Sequence, residues 1–229
     1  ATGNDSTTAA LVNNGSSDNC AIASLALSQT AFVCSEVGAN TETLTVTDVN
    51  GNVSTCSTVV TVEDNVNPVA ICQDVTINLG SSGSQVVLAS AVDNGSNDAC
   101  GIASITLNPN TFSCDDLGEN TVTLTVVDVN GNSSTCTATV SILDSIPPTA
   151  LCQDVTVQLD ATGNGSTTAA AVNNGSFDNC AIASLVLSQT AFSCLEVGAN
   201  TETLTVTDVN GNVSTCTTVV TVEDNVAPV

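Results

Sequence analysis

The stretch Val126-Val127-Asp128-Val129-Asn130-Gly131-Asn132-Ser133-Ser134-Thr135-Cys136 places an Asn-Gly dipeptide between two runs of strand-forming residues. Asn and Gly both tolerate positive φ, so this dipeptide indicates a tight β-hairpin turn. We expect the turn to join the last two strands, F and G, of a small β domain. Residues 46–56 and 206–216 repeat the stretch with few changes.

The cysteines reveal an 80-residue repeat. Cys20, Cys100 and Cys180 are 80 residues apart. The same spacing relates three further sets: Cys34, Cys114 and Cys194; Cys56, Cys136 and Cys216; and Cys72 and Cys152. Residues 1–69 and 161–229 differ at only eight positions, whereas the middle copy is more divergent. Such self-similarity is typical of a tandem array. We expect one repeat without its first strand at 1–64, a complete repeat at 65–144, another at 145–224 and the start of a further one at 225–229.

Each repeat has the pattern of an all-β domain. In the middle copy, residues 69–79, 85–91, 102–107, 121–127 and 135–143 are rich in Val, Ile, Leu and Thr. These residue types favour pleated sheets, and turns rich in Gly, Asn and Pro separate the segments. No segment has a helical period over a useful length. Short strands at this spacing predict an antiparallel, immunoglobulin-like β-sandwich.

The composition indicates a folded extracellular protein. Its 229 residues include 23 Asp plus Glu and no Lys, Arg or His, which gives a formal net charge of -23. Repulsion on that scale opposes a compact state, but 42% of the residues are hydrophobic, which is too many for a disordered chain. Eleven cysteines indicate an oxidising compartment. No run is long enough to span a membrane, so we expect any signal or anchor to lie outside this fragment.

Two spaced motifs resemble a known family. Asp-x-x-Gly-Asn-x-x-x-Cys occurs at 48–56, 128–136 and 208–216, and Asp-x-Cys occurs at 18–20, 98–100 and 178–180. Together with a cysteine after the linker proline, they resemble hyalin repeat (HYR) domains in all three copies. Cys72-Gln73 and Cys152-Gln153 depart from the Cys-Pro that is common in the family. The resemblance implies immunoglobulin-like modules of extracellular and bacterial surface proteins, associated with adhesion and without catalytic activity.

Four cysteines in a repeat allow three connectivities. One cysteine on the first strand and one on the last lie near the same pole of a sandwich, which favours Cys72–Cys136 and Cys152–Cys216, with the partner of Cys56 outside the fragment. Cys20–Cys34, Cys100–Cys114 and Cys180–Cys194 follow by elimination. However, a regular hairpin turning near Pro109 would place Cys114 opposite residue 104, so either this segment is irregular or the pairing is different. An odd count of eleven fits a window on a longer polymer, with a free thiol as the alternative.

Carboxylates and amides gather where consecutive repeats meet. In this topology the B–C loop, the F–G turn and the incoming linker share the N-terminal pole of a domain. We therefore expect oxygen ligands for Ca²⁺ at two junctions, with no nitrogen or sulfur donor. The candidates at the first junction are Glu63, Asp64, Asn65, Asp93, Asp98, Asp128, Asn130 and Asn132, and those at the second are Asp144, Asp178, Asp208, Asn210 and Asn212.

A second interpretation makes the same residues ordinary turn formers, because Asp, Asn and Gly populate turns in any case. Leu143 stands where the first junction has Glu63. On the calcium interpretation this replacement predicts weaker binding at the second junction.

The missing residue types limit the function. Without His, Lys, Arg or Tyr the chain lacks the usual proton shuttles and nucleophiles, so we do not expect an enzyme, and its charge excludes nucleic acid as a partner. Near-identical units favour a structural filament, stalk or matrix fibre that associates with further repeats of itself, with or without lateral bundling. The alternative is a calcium-dependent adhesin that binds a glycan or a protein, for which Phe177 is the one candidate contact, since binding surfaces favour aromatic residues.

Overall fold

The third repeat is a β-sandwich in the computed structural model, which describes residues 3–228. Its main sheet has the strand order β12-β17-β16-β14, and a two-stranded sheet pairs β13 with β15. The elements are β12 Val155–Gln158, β13 Asn164–Ser166, helix α3 Ala169–Val172, β14 Ile182–Leu187, β15 Ala191–Ser193, β16 Gly198–Asp208 and β17 Val213–Glu223. β12 pairs in parallel with β17, and the other pairs of the main sheet are antiparallel.

Strict alternation of side chains builds the core of this repeat. From Glu202 on β16 and from Thr218 on β17 every second residue is buried, including Leu204, Val206, Val220 and Val222. Side chains on a strand point to opposite faces in turn, so one face of the sheet packs inward while threonines line the other. Phe192 on β15 completes the same cluster. The segments rich in Val and Thr therefore form the β-sandwich that the sequence predicts.

The first repeat has the same plan with a smaller sheet. In the part of the chain that is described, β2-β4-β5 form a three-stranded sheet and β1 pairs with β3. The elements are β1 Asn4–Ser6, α1 Ala9–Val12, β2 Ile22–Leu27, β3 Ala31–Val33, β4 Gly38–Asp48 and β5 Val53–Val62. A strand equivalent to β12 is absent from residues 3–62.

The middle repeat contains the same elements at the same spacing. They are β6 Val75–Asn78, β7 Ser84–Val86, α2 Ala89–Val92, β8 Ile102–Asn108, β9 Thr111–Ser113, β10 Gly118–Asp128 and β11 Ser133–Leu143. β8 pairs with β10, β7 with β9, and β6 lies parallel to β11. The strand predicted over 85–91 ends at Val86, because residues 89–92 form a helical turn instead.

The chain divides into two compact units that both include residues of the middle repeat. One unit contains residues 1–74, 88–108 and 121–138, and the other contains residues 75–87, 109–120 and 139–229. The residues of the first junction all fall in the first unit, and those of the second junction fall in the second unit. The repeat boundaries inferred from the spacing of the cysteines remain a prediction.

The disulfide pattern corrects part of the sequence analysis. Cys72–Cys136 and Cys152–Cys216 are present as expected. The pairings Cys20–Cys34, Cys100–Cys114 and Cys180–Cys194 are wrong, because the structure instead contains Cys34–Cys100 and Cys114–Cys180. The segment between Cys100 and Cys114 is not a hairpin. β8 pairs with β10 whereas β9 pairs with β7, so the chain changes sheets near Pro109 and Cys114 follows a strand that does not pair with the strand after Cys100.

Candidate metal centre at the repeat junctions

A disulfide bond joins each pair of consecutive repeats. Cys34 and Cys114 each begin a short 3₁₀ turn after the strands β3 and β9. Their partners, Cys100 and Cys180, lie 66 residues further along the chain, in the loops before β8 and β14 of the next repeat. Both bonds are therefore inter-repeat bonds, in contrast to Cys72–Cys136 and Cys152–Cys216. We call the region around each of them a junction.

The first junction brings two carboxylates together. Ligand atoms of Asp64, in the linker after β5, and of Asp98, in the loop before β8, lie within 4.8 Å of one another and of the sulfur of Cys100. That sulfur is part of the disulfide with Cys34, so it is not a thiolate ligand. The backbone N–H of Val66 donates to Asp64 Oδ1 at 3.1 Å. The other oxygen, Oδ2, is buried and has no hydrogen-bond partner.

Asp98 has a second role in shaping its loop. Its Oδ2 accepts the backbone N–H groups of Cys100 at 2.7 Å and Gly101 at 3.3 Å. Asp178 repeats the bond to the cysteine, with Cys180 N–H at 2.8 Å. A carboxylate that accepts a backbone N–H two residues later forms an Asx turn. The Asp-x-Cys motif therefore fixes both the carboxylate and the cysteine at the junction.

The turn between β10 and β11 holds the incoming linker. Asn132 Nδ2 donates to the backbone oxygen of Asp64 at 2.9 Å and to Asp128 Oδ2 at 2.8 Å. Asp128 Oδ1 also accepts the backbone N–H groups of Asn130 and Asn132. Gly131 has a φ of 96°, and Ala21 is the one non-glycine with positive φ among residues 3–228, so Asn130 does not adopt the predicted left-handed conformation. The Asp-x-x-Gly-Asn motif is thus a side-chain-braced turn.

Hydrogen bonding determines the charge state of this turn. Asp128 is buried, with 1% of its surface exposed, and burial by itself raises the pKa of its carboxyl. The hydrogen bonds from Asn132, Asn130 and Gly131 outweigh this effect and lower the pKa below its ordinary value. At Asp48, in the equivalent turn of the first repeat, hydrogen bonds from Asn52 likewise lower the pKa. These carboxylates are therefore ionised at neutral pH.

The second junction carries more unpartnered oxygen atoms. Asp144 and Asp178 are grouped within 4.8 Å in the same way as Asp64 and Asp98. Three buried oxygens there have no hydrogen-bond partner, namely Asp144 Oδ2, Asp178 Oδ1 and Asn179 Oδ1. Asp144 is only 9% exposed. Asn179 Nδ2 donates to Asp144 Oδ1 at 3.2 Å, which keeps the amide beside the carboxylates. Asn212 Nδ2 contacts the linker through the backbone oxygens of Asp144 and Ile146, at 3.3 and 3.5 Å.

These arrangements fit a hard divalent cation. Native proteins leave few buried polar atoms without partners, so each exception calls for an explanation. Two unit charges 4.8 Å apart, the upper limit for the oxygens of each aspartate pair, repel each other by roughly 3 kcal/mol at an effective dielectric constant of 20, and the chain has no Lys, Arg or His to offset them. Ca²⁺ takes six to eight oxygen ligands from carboxylates, amides, backbone carbonyls and water. Two carboxylates and an amide would supply part of such a shell.

The other acidic residues of the predicted set lie outside the two carboxylate groups, and the remaining predicted ligands make contacts of other kinds. Glu63 and Asn65 are exposed, and Asn65 Nδ2 donates to Glu63 Oε2 at 3.3 Å. Asp93 Oδ1 accepts the N–H of Ser96 at 3.1 Å, and hydrogen bonds from the side chain and the backbone of Ser96 lower the pKa of Asp93. Asn13 and Asn173 make the same bond in the other repeats, so the position requires a turn former and no charge. Asp128, Asn132, Asp208 and Asn212 brace the turns. Asn130 has a buried amide nitrogen without a hydrogen-bond partner. The side chain of Asn210 is exposed.

Sequence reasoning missed one residue of the second group, Asn179. It is the middle residue of the Asp-x-Cys motif, and the first junction has Ala99 at that position. The available signal was that this middle position varies among the three copies of the motif, whereas the Asp and the Cys on either side do not.

A cavity of about 310 Å³ lies beside the first group. Its lining includes Phe32, Cys34, Glu63, Asp64 and Cys100.

Phe177, the candidate contact of the third repeat, is 59% exposed and lies outside the core. No helix among residues 3–228 is long and apolar enough to cross a membrane.

Comparisons with known proteins give only distant structural likenesses. No family model matches the chain, and no curated protein matches it. Among solved structures it is similar to the protocadherin gamma B7 extracellular cadherin domains 1–4, at 11% identity and a TM-score of 0.36, over 92% of this chain and 66% of that one. It is also similar to protocadherin gamma C5 EC1–3, at 12% identity and a TM-score of 0.36, over 86% and 89%. The insect immune protein hemolin matches at 11% identity and a TM-score of 0.38, over 84% and 58%. By its own strand topology and disulfide bonds, the chain is an all-β array of sandwich repeats, stapled within and between the repeats.

Proposed function

We propose that the chain is the structural part of an extracellular filament, stalk or matrix fibre whose junctions bind calcium. The observation that carries this proposal is the pairing, at each junction, of an inter-repeat disulfide with two carboxylates, accompanied by one buried, unpartnered oxygen at the first junction and three at the second. A disulfide limits how far two repeats can separate. A cation bound by the linker and the next repeat would also limit how far they bend.

The residue placement supports binding by both partners of a junction. Asp144 belongs to the linker after one repeat, whereas Asp178 and Asn179 belong to the loop of the next. A Ca²⁺ ion held by all three would relieve the repulsion between the carboxylates and satisfy the orphan oxygens together. Because the ion would bind the ordered junction and not the unfolded chain, it would stabilise the fold by mass action. Four disulfide bonds fit an oxidising, extracellular location.

The test is thermal unfolding of the chain with its disulfides intact, in calcium and then in EGTA, followed by circular dichroism because Trp and Tyr are absent. We expect calcium to raise the unfolding temperature by several degrees, and small-angle scattering to show a longer, stiffer particle. A matched variant, Asp98→Asn with Asp178→Asn, should lose most of this response. Equal melting curves and equal scattering with and without calcium would contradict the calcium part of the proposal.

An adhesin is the second candidate. The exposure of Phe177 supports it, because an aromatic side chain on the surface of a chain with four aromatic residues is a ready contact for a sugar ring or a protein. A glycan array probed with the purified chain separates the two candidates. Calcium-dependent binding to a defined glycan that Phe177→Ser abolishes would favour the adhesin, whereas association only with further copies would favour the fibre.

A further inference from the structure

The main sheet of the third repeat has one side that faces away from the core. On β16 and β17 the residues between the buried ones point outward, because side chains alternate along a strand. We call this surface the threonine face: the odd-numbered residues of 201–207 and 213–219, with Ser184 and Val186 of β14. Thr205 lies opposite Thr215 on one side and Val186 on the other. Val186 is 59% exposed and Val213 is 50% exposed, so the face combines methyl groups with hydroxyls.

The threonine face carries no charged side chain. The carboxylates of β16, Glu202 and Asp208, are at even-numbered positions and are buried, and Glu223 lies beyond the face at the end of β17. The equivalent odd-numbered residues of 41–47 and 53–59 in the first repeat, and of 121–127 and 133–139 in the middle repeat, are Thr, Val and Ser. A chain with 23 Asp plus Glu and no Lys, Arg or His therefore keeps one sheet face of every repeat free of charge.

Electrostatic repulsion limits where two copies of this chain can touch. Each copy has a formal net charge of -23, and like charges brought together across an interface suppress association. The chain has no cationic side chain that could offset a carboxylate of its neighbour. The cores of protein interfaces are depleted of charged residues, a condition that the threonine face meets. Because the same face is present on both copies, it can form a symmetric contact.

The sheet is also large enough for a weak specific contact. β16 and β17 have 11 residues each. A strand of that length spans about 36 Å and four strands span about 19 Å, so the sheet offers at most about 700 Å² per copy. Two copies would bury at most about 1,400 Å², within the lower part of the range for specific interfaces. We therefore expect one pair of faces to associate reversibly and weakly.

We propose that the threonine face is a lateral contact between two copies of this chain, with sheet packed against sheet. The proposal rests on the proposed fibre, for which it names the surface that bundles neighbouring chains. The contact needs no cation, since no carboxylate enters it. Carboxylates outside the contact still repel, and salt screens that repulsion. Salt should therefore strengthen the association, the opposite of its effect on an interface held by ion pairs.

The experiment is sedimentation equilibrium of the full chain in EGTA at low and at high sodium chloride. The three free cysteines, Cys20, Cys56 and Cys194, are replaced by serine so that no covalent dimer forms. We expect an equilibrium between monomer and dimer whose dissociation constant falls as salt is added. A chain that stays monomeric at every concentration and salt, or a dimer that salt dissociates, would overturn the proposal.

A face variant with Thr55→Glu, Thr135→Glu and Thr215→Glu places one charge on the exposed side of the sheet in each repeat. It should weaken dimerisation by about tenfold or more, which corresponds to about 1.4 kcal/mol. Circular dichroism verifies that the variant is folded.

The matched control adds the same three charges outside the sheets, by Asn14→Asp, Asn94→Asp and Asn174→Asp. These asparagines are exposed in the loops before β2, β8 and β14, and the control should dimerise as its parent does. An equal loss in both variants would assign the effect to net charge and reject the threonine face. Because calcium is absent, a chain that stays monomeric here but still gains thermal stability with calcium would reject the lateral contact and leave the calcium junctions intact.

Discussion

The two junctions of this chain share their covalent bond and their turn but differ in one ligand. Each has a disulfide spanning 66 residues and a pair of aspartates, and in each an asparagine amide contacts the linker backbone. The second has Asn179 beside its aspartates where the first has Ala99. Three orphan oxygens lie at the second junction, compared with one, Asp64 Oδ2, at the first. The difference teaches that one small substitution can make two copies of a site unequal without changing the scaffold.

The comparison also changes the expected order of affinity. The sequence analysis predicted weaker binding at the second junction because Leu143 replaces Glu63. Glu63 is exposed, pairs with Asn65 and lies outside the carboxylate group. We therefore expect the second junction to bind calcium more tightly, owing to the amide oxygen of Asn179.

The largest effect should come from the bonds that the junctions share. Removing Cys34–Cys100 or Cys114–Cys180, by replacing both cysteines with serine, should lower the free energy of unfolding by about 4 kcal/mol for a loop of this length. Both bonds close loops of 66 residues, so the two losses should be similar. Guanidinium unfolding followed by circular dichroism measures them. Clearly unequal losses would show that strain or packing, and not loop closure, distinguishes the junctions.

An exchange of the differing residue tests the ligand directly. Asn179→Ala should weaken calcium binding at the second junction about tenfold, and Ala99→Asn should strengthen it at the first by a similar factor, or about 1.4 kcal/mol. Isothermal titration calorimetry on each variant gives both constants. If neither exchange moves either constant, the orphan amide oxygen is not a ligand, and the two junctions are equivalent sites.

Lowering the pH should reveal how much the turn at Asp128 contributes to the free energy of unfolding. The pKa of Asp128 is lowered in the folded chain, whereas an unfolded aspartate titrates near pH 4. The stabilisation is fully present above the unfolded pKa and is lost as the pH falls through the folded pKa, because the native carboxylate must then be protonated. Unfolding free energies measured from pH 5 to pH 2 should fall, and Asp128→Asn should flatten that decline. An unchanged slope in the variant would assign acid sensitivity to other carboxylates.

The smallest effect should separate the two asparagines that hold the linkers. Asn132 donates to Asp64 O at 2.9 Å, whereas Asn212 donates to Asp144 O at 3.3 Å. Because a shorter bond is the stronger one, Asn132→Ala should cost about 1 kcal/mol and Asn212→Ala somewhat less. Paired thermal melts in EGTA make the measurement free of any bound ion. A larger loss for Asn212→Ala would mean that the longer contact is the more important one.

Several features of the site followed from the sequence because they are local. Asp98 and Cys100 lie two residues apart, and the aspartate that braces the turn lies four residues from its asparagine, so a short motif fixes their geometry. The meeting of the linker with the next repeat followed from the length of the last strand. The pairing of Cys114 could not be predicted, because it depends on a change of sheet between β8 and β9 that no local pattern reveals.

The sequence by itself determined the repeat, the β-sandwich class and the positions of the acidic turns, because each rests on periodicity or on contacts between near neighbours in the chain. Only the tertiary structure decided that the third cysteine of one repeat bonds the second cysteine of the next, and that Asn179 and not Glu63 accompanies the carboxylates. Both outcomes depend on which side chains face each other after residues 66 or 35 positions apart have been brought together. The spacing of residues along the sequence does not encode that proximity, because the proximity arises only when whole sandwiches pack.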